Sequence, residues 1–565
     1  MVEIYLVRSD KILVNHLVDL CAAKGVRHIV FSPGSRNAPL IVSFNDHKDI
    51  ECLVVADERC AGFFAIGIAQ EIKMPVAICC TSGTAALNYA PAIAEAFYQR
   101  IPLLIITADR PVEWVNQGDG QTIAQRNVFQ NYILDSYELP QESLHQDELW
   151  SGGRIINEAI DRCIDQIGPV HINFPLRENL YGVTDTYTKP KIIQSVKTKQ
   201  QLSSEQIESI ATGWNTASKK LILCGQLASD ESLNNALNVI AEDESVVILT
   251  ETTSNLWNPK FVGCIDRTIA TFTDEELSGF MPDLLITIGG AIISKRIKSL
   301  FRKTQPNQHW HISEHDGHLD TYQSLTKRIT CSPSHFFHAI KSKIKPIQSG
   351  FSTLWNGRNL LTEEKHHEYI SNAEFSDLSV FHSIMDYLPD NSNLHMSNST
   401  TVRYVQLFNP IRGINYFANR GTSGIDGSTS TAAGVSYQSN KINTLVTGDM
   451  SFFYDSNAFW NNYLEGNFKV ILINNGGGGI FRIIPGPDET DQLEEFFETK
   501  QGMTAKYVAK QYNLNYYHAS NKKELEDILV SFFTTEDNNR PSLLEVFTPR
   551  LANDSVLKNY FEALK

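Results

Sequence analysis

Short apolar runs alternate with helix-length runs along almost the whole chain, and each apolar run ends in Gly, Ser, Thr, Asp or Asn. "RHIVFSPGS", "ECLVVADE", "PVAICCTSG", "PLLIITADR" and "PVHINFP" read as strands of a first unit, with helical stretches such as Lys11–Lys24 and Cys60–Glu71 between them. Parallel strands need a crossover, and the crossover helix packs on the sheet, so this alternation implies parallel sheets covered on both faces. "KKLILCGQ", "SVVILTE", "PDLLITIGG" and "QHWHISE" repeat the pattern in a second unit. "INYFANRG", "INTLVTGD", "FKVILINN" and "PSLLEVFTP" repeat it in a third. The expected fold class is therefore α/β, with three doubly wound parallel-sheet domains. Their expected spans are residues 1–185, 206–345 and 355–565. The polar stretch from Thr184 to Gln206 is the expected first linker, and "KSKIKPIQSGFS" marks the end of the second unit. A chain of 565 residues is in any case too long for a single core.

Charge narrows the range of functions. Acidic residues number 64 and basic residues 49, a formal charge of −15. That balance argues against a nucleic-acid or anionic-membrane surface, so anionic ligands must be met by local Arg and Lys clusters. The nine cysteines are scattered, without C-x-x-C or zinc spacing, as in a reduced cytoplasmic protein. The N-terminus lacks the layout of a secretion signal. The longest uncharged run, Pro75–Ala94, is broken by Thr, Ser, Gly, Asn and Pro, so no membrane span is expected.

Open parallel sheets bind ligands at the carboxyl ends of their strands. One apolar run of the third unit ends at Asp449 and the next ends at Asn475, 475 − 449 = 26 residues later. If the two strands are neighbours, a carboxylate and an amide oxygen meet. That is hard-oxygen ligation, suited to Mg²⁺, with Mn²⁺ or Ca²⁺ as substitutes. A backbone carbonyl of the glycine run, Gly477, is the candidate third ligand. The plain alternative is that Asp449 caps a helix and the asparagines form a turn. Glu58 opens a helix with almost no polar residue before Gln70. It is either an ordinary first-turn acid or a carboxylate facing a dry pocket, its protonation tuned by burial and by the helix N-terminus. The glycines of "NRGTSGIDGSTSTAAG", Gly421, Gly424 and Gly427, form a loose repeat that is weak by itself. His366 and His367, in a charged helix, read as solvated surface.

These signals are joined in order by "SPGSRNAPL", "TSGTAALNYAPAIAEA", "TADRP", "GPVHINFP", "SNSTTVR" and "SGIDG". The set resembles the thiamine-diphosphate enzymes. Among them it resembles the 2-succinyl-5-enolpyruvyl-6-hydroxy-3-cyclohexene-1-carboxylate synthase family of menaquinone biosynthesis, where a larger apolar residue such as Met450 follows the metal-site Asp. The resemblance covers both ends of the chain well. In the central unit it rests mainly on "GGAIISKR".

The resemblance implies a pyrimidine-binding domain, a central domain that needs no nucleotide, and a diphosphate-binding domain. It implies thiamine diphosphate and Mg²⁺ as cofactors. It also implies a homodimer or dimer of dimers, with Glu58 acting on cofactor held by the neighbour's Asp449 and Asn475. Ser399, Met450 and Ser451 would line the cofactor site, Ile425 would wedge under the cofactor, and Ile480 and Phe481 would flank it. The implied reaction, that of a transferase, is decarboxylation of 2-oxoglutarate and addition of the succinyl carbanion equivalent to isochorismate. Glu58 would be catalytic, exchanging a proton with the aminopyrimidine. By the same resemblance, Ser35, Arg36, Arg110, Gln121 and Lys295 face isochorismate, while Arg403 and Arg420 face the oxoglutarate-derived portion. Planar guanidinium groups suit both dicarboxylates. One position departs from the family: Gly120 stands where an asparagine is expected. The rival readings are an acetohydroxyacid synthase-like carboligase, another 2-oxoacid decarboxylase, and a non-catalytic anion-binding regulator. "CGQLASDESL" lacks the dinucleotide fingerprint that a flavin-dependent synthase would place in the central unit.

Overall fold

The apolar runs become strands of three sheets in which every pairing is parallel. The computed structural model describes residues 7–141, 145–186, 188–198, 200–315, 317–484, 486–534 and 539–565. The first sheet has the spatial order Glu51–Val54, His28–Phe31, Val76–Cys80, Leu103–Asp109, Val170–Pro175, Asp135–Glu138. The central sheet runs Val246–Thr250, Lys220–Cys224, Leu284–Ile288, Gln308–Ser313, Lys327–Thr330. The third runs Asn415–Phe417, Asn393–Met396, Asn443–Gly448, Phe468–Asn474, Ser542–Phe547, Asn515–Ala519. A short antiparallel pair, Arg8–Ser9 with Val183–Thr184, closes the first unit on itself.

The first and third sheets share a core. Phe63, Phe64 and Ile66 of the helix Glu58–Ile72 pack in one cluster with Ala432, Phe452 and Val470 of the third unit. That helix crosses Ser428–Gln438 so closely that glycine is needed on both sides. A Cβ at Gly67 would stand 2.1 Å from the Thr431 carbonyl oxygen, and one at Gly434 would stand 2.0 Å from that of Phe64. Gly427, just before the second helix, has φ +74°, and a Cβ there would overlap the Phe63 ring. Positive φ and close approach both require glycine at that position. The crossing fixes the Glu58 end of one unit against the Gly421–Gly427 loop region of the other.

One sequence expectation is corrected here. His366 is not solvated: it is 3% exposed, and its Nδ1 lies 2.8 Å from the Tyr560 hydroxyl. Burial pushes its pKa down to about 3, so the ring is neutral. His367 is the exposed member, because successive residues on a helix point about 100° apart. Among the described residues no helix is long and apolar enough to cross a membrane.

Candidate active site

The strands Asn443–Gly448 and Phe468–Asn474 are paired with Gly448 opposite Ile473, so the chain leaves both at the same level. Asp449 and Asn475 emerge there on neighbouring tips. Asp449 is 2% exposed. Its Oδ1 accepts the Met450 N–H at 2.7 Å, and its Oδ2 accepts the Gly477 N–H at 2.8 Å and Gln501 Nε2 at 2.7 Å. All three donors are neutral. Burial outweighs them and raises the carboxyl pKa to about 6. A buried carboxylate with no cation beside it is relieved by a bound cation. Gly448 occupies the cap position of the helix Asp449–Tyr454, so Asp449 is its first residue rather than its cap.

Asn475 donates from Nδ2 to Asp377 Oδ2 at 2.9 Å, which turns its Oδ1 away from that acid. The Gly477 carbonyl accepts from the Gly479 N–H at 3.0 Å and keeps a second lone pair. One carboxylate, one amide oxygen and one backbone carbonyl fit a hard divalent ion that keeps positions for phosphate and water. Among the described residues no cluster of three or more His, Cys, Asp or Glu is placed to hold a metal, so a metal centre here depends on amide and carbonyl oxygens.

Glu58 is the first residue of its helix, but the capping is done by Asp57, whose Oδ1 accepts the N–H groups of Arg59 and Cys60 at 3.0 and 3.3 Å. That leaves the Glu58 carboxylate, half-buried, to accept from Asn88 Nδ2 at 3.2 Å. Cys80 and Tyr89 are buried nearby. Burial raises both of their pKa values, and the Glu58 charge adds to the effect. The helix end is tied to the third unit by Arg59 Nη2 donating to the Tyr454 carbonyl at 2.7 Å and by Asn457 Nδ2 donating to Asp57 Oδ2 at 2.8 Å.

The four arginines form two pairs. In the third unit Arg403 donates to the Ser399 carbonyl, and Arg420 donates to Asn398 Oδ1 at 2.7 Å. Ser399 has φ +76° and caps the short helix Thr400–Val405 that carries Arg403. Burial lowers the pKa of both arginines, and at Arg420 the charge of Arg403 lowers it further. In the first unit Arg36 donates to the Leu176 carbonyl and pairs with Glu178, both at 2.9 Å. Arg110 donates to the Gly120 carbonyl at 3.0 Å and meets Asp119 at 3.3 Å. Burial, then the charge of Arg110, lowers the pKa of Arg36. The Nε groups of Arg36, Arg110 and Arg420 are buried without an acceptor among the described residues. Charged donors left in that state suit an incoming carboxylate.

The remaining predicted residues are less tightly gathered. Ser35 and Gln121 are exposed, and Gln121 has φ +53° in a loop against Gly83. A Cβ at Gly120 would meet nothing within 4 Å, so space alone does not demand glycine there. Lys295 is exposed at the start of the helix Lys295–Lys303 and makes no ion pair among the described residues. Ile425 is 37% exposed, and its carbonyl accepts the Ser451 hydroxyl at 2.6 Å, which joins the glycine loop to the Asp449 helix. Ile480 and Phe481 lie in the tight turn Gly479–Arg482, with the Phe481 ring 5.8 Å from that of Phe497.

Three residues that sequence reasoning missed hold these loops in place. Glu95, 1% exposed, reaches from the first unit to accept the N–H groups of Gly421 and Thr422, each at 2.7 Å. Its signal was a lone charge in an otherwise apolar helix. Glu251, fully buried in the central unit, accepts the N–H groups of Ile293 and Ser294 at 2.6 and 2.7 Å and so fixes the loop before Lys295. Gln501 reaches Asp449 from a distant segment, and no local pattern announces it.

Comparison with known proteins bears directly on this arrangement. Residues 13–139 match the family model of the thiamine pyrophosphate enzyme, N-terminal TPP binding domain. Residues 186–396 match that of the middle domain of thiamine pyrophosphate. The chain is 45% identical to a 2-succinyl-5-enolpyruvyl-6-hydroxy-3-cyclohexene-1-carboxylate synthase of Flavobacterium johnsoniae, over 98% of this chain and 99% of the relative. Synthases of the same name from Flavobacterium psychrophilum and Christiangramia forsetii are 46% and 42% identical. They are matched over 98% and 97% of this chain and 98% of each relative. The chain is a thiamine pyrophosphate enzyme and belongs to the 2-succinyl-5-enolpyruvyl-6-hydroxy-3-cyclohexene-1-carboxylate synthase family.

Proposed function

We propose that this chain decarboxylates 2-oxoglutarate and adds the resulting succinyl unit to isochorismate, forming 2-succinyl-5-enolpyruvyl-6-hydroxy-3-cyclohexene-1-carboxylate. The observation that carries the reading is Asp449, a buried carboxylate bonded only to neutral donors among the described residues, beside Asn475 on the next strand tip. Asp449, Asn475 and the Gly477 carbonyl would hold Mg²⁺, for which Mn²⁺ or Ca²⁺ can substitute, and the ion would anchor the diphosphate. Bound thiamine diphosphate supplies a nucleophilic carbon and an electron sink for the loss of carbon dioxide. Glu58 is the catalytic residue: its carboxylate would exchange a proton with N1′ of the bound aminopyrimidine. Ser399, Met450 and Ser451 line the cofactor, Ile425 supports it, and Ile480 and Phe481 exclude water on the apolar side.

Arg403 and Arg420 bind the carboxylates of the first substrate. Ser35, Arg36, Arg110, Gln121 and Lys295 receive the second. Support for this division is that the arginines pair within one unit each, and that three of them keep a buried Nε without an acceptor. We assign residues 1–185, 206–345 and 355–565 to the pyrimidine-binding, central and diphosphate-binding units; each span holds one of the three sheets. The protein acts as a homodimer or dimer of dimers with active sites at the subunit interface. Leu87 and Ile425, apolar and 44% and 37% exposed beside the candidate residues, are what a facing subunit would cover. Buried, unpaired thiols support a cytoplasmic setting.

The deciding experiment is incubation with 2-oxoglutarate, isochorismate, thiamine diphosphate and Mg²⁺, with mass analysis of the product. The succinylated cyclohexene carboxylate and one equivalent of carbon dioxide are expected. Carbon dioxide with no coupling to isochorismate would instead mark a simple decarboxylase.

A further inference from the structure

We infer that Asp377 is the positioning residue that decides which face of Asn475 meets the divalent ion; the inference rests on the reading of Asn475 as a ligand of that ion. Asp377 begins the helix Asp377–Tyr387 and lies 98 residues before Asn475 in the chain. It is 2% exposed. Its two oxygens have separate partners. Oδ1 accepts the Thr548 hydroxyl at 2.6 Å, and Oδ2 accepts Asn475 Nδ2 at 2.9 Å. Its own N–H donates to Asn553 Oδ1 at 2.8 Å.

Thr548 follows the strand Ser542–Phe547, which pairs with Phe468–Asn474, the strand that delivers Asn475. The carboxylate is therefore gripped from one strand end and grips the neighbouring one. An acid in the first turn of a helix often serves only the helix dipole. Here the cap position is held by Ser376, whose N–H donates to the Ser379 hydroxyl at 2.9 Å. The Asp377 side chain is left for the two cross-element bonds.

The chemical consequence lies in the asymmetry of a carboxamide. One end accepts and the other donates, so a flipped Asn475 would aim N–H at a cation. Both Asp377 oxygens accept, Oδ1 from Thr548 and Oδ2 from Asn475, so the acid selects Nδ2 and sends the Asn475 Oδ1 to the opposite side. Oriented ligands of this kind depend on such outer partners for metal affinity.

The test is calorimetric titration of Mg²⁺ into the metal-free full chain with thiamine diphosphate in excess. Asp377→Leu removes the acceptor and should weaken Mg²⁺ by roughly 10- to 100-fold. Asp377→Asn should weaken it less, because its amide oxygen still accepts from Asn475 while its NH₂ donates to the Thr548 oxygen. Turnover of both variants should recover at saturating Mg²⁺, so the Mg²⁺ requirement moves and kcat does not. A folded Asp377→Leu whose Mg²⁺ affinity stays within about twofold of the parent, when Asn475→Ala loses it, overturns the inference. If Asn475→Ala leaves Mg²⁺ binding intact, the ligand reading itself falls and takes the inference with it.

Should Asp377→Leu not fold, a cycle of near-isosteric changes decides. Asp377→Asn weakens Mg²⁺ in the parent background. In the Asn475→Asp background it should strengthen Mg²⁺, because it turns a contact between two carboxylates into a donor–acceptor pair. Additive effects in that cycle overturn the inference.

Discussion

Among the described residues Asp449 is bonded only to neutral donors, and burial raises its pKa to about 6 in the metal-free protein, well above the ordinary carboxylate range. A cation requires the ionised form, so protons compete with Mg²⁺ below that value. The Mg²⁺ dissociation constant, measured with thiamine diphosphate present, should be flat above about pH 7 and rise roughly tenfold per unit below about pH 6. A profile that stays flat down to about pH 5 would show that Asp449 is not a ligand. Asp449→Ala should abolish both the tight binding and its pH dependence. The arginine pairs make a second prediction at this scale. Losing one charged hydrogen-bond partner costs about 1.5–3 kcal/mol, roughly ten- to a hundredfold in affinity. Arg403→Ala should raise KM for 2-oxoglutarate by that factor and spare isochorismate, and Arg36→Ala should do the reverse. Lysine at either position should rescue only in part, because an ammonium cannot present a planar fork. Steady-state kinetics with each substrate varied in turn check this, and equal damage to both substrates would refute two separate pockets.

The crossing of Glu58–Ile72 with Ser428–Gln438 leaves no room for a side chain at either glycine. The atom that would oppose a methyl group at Gly434 is the Phe64 carbonyl oxygen, part of a helix backbone that cannot swing aside as a long side chain can. Gly434→Ala should therefore destabilise the protein by about 1–3 kcal/mol or more, the range for overpacking a close-packed interior. Urea unfolding measures it. Gly350→Ala is the control, since a Cβ there meets nothing within 4 Å. If the two variants unfold alike, the helices can slide apart and the crossing does not fix the Glu58 end. Because that crossing sets where the Glu58 helix ends, loss of activity in Gly434→Ala should exceed what its stability alone explains.

At the scale of the whole molecule, the question is whether an active site is built from one chain or two. The core shared by the first and third sheets is formed within one chain, and Arg59 and Asp57 bond to the third unit of that chain. The proposed dimer nevertheless pairs Glu58 of one subunit with Asp449 of the other. Glu58→Gln and Asp449→Ala should each be inactive, since loss of a general acid–base group alone costs about 10²–10⁴-fold. Unfolding and refolding the two variants together should restore activity. In the mixed dimer one site then carries both defects, and the other carries none. If each site were built from a single chain, every site in the mixture would keep one defect and the mixture would stay inactive.

The alternation of strands and helices was enough to predict three parallel α/β sheets, because strands buried on both faces must be apolar end to end. Within those three sheets it overlooked four strands. Asp135–Glu138, Lys327–Thr330 and Asn515–Ala519 lie at sheet edges, where partial exposure admits charged and polar residues. Asn393–Met396 is internal, but Asn393 and His395 bury their polarity against Asn443, at 2.9 and 3.2 Å. The sequence likewise placed Asp449, Asn475 and Glu58 at element ends, since a strand tip is visible in the residues that end it. What the residues could not carry was every partner drawn from elsewhere in the chain: Asp377 on Asn475, Gln501 on Asp449, Glu95 on the loop of Arg420, and Tyr560 on His366. Each of those side chains has an ordinary local reading as a helix acid, a loop amide or a surface histidine. Only the folded chain brings its partner within hydrogen-bond distance, because burial and pairing are properties of the packing and not of the local pattern.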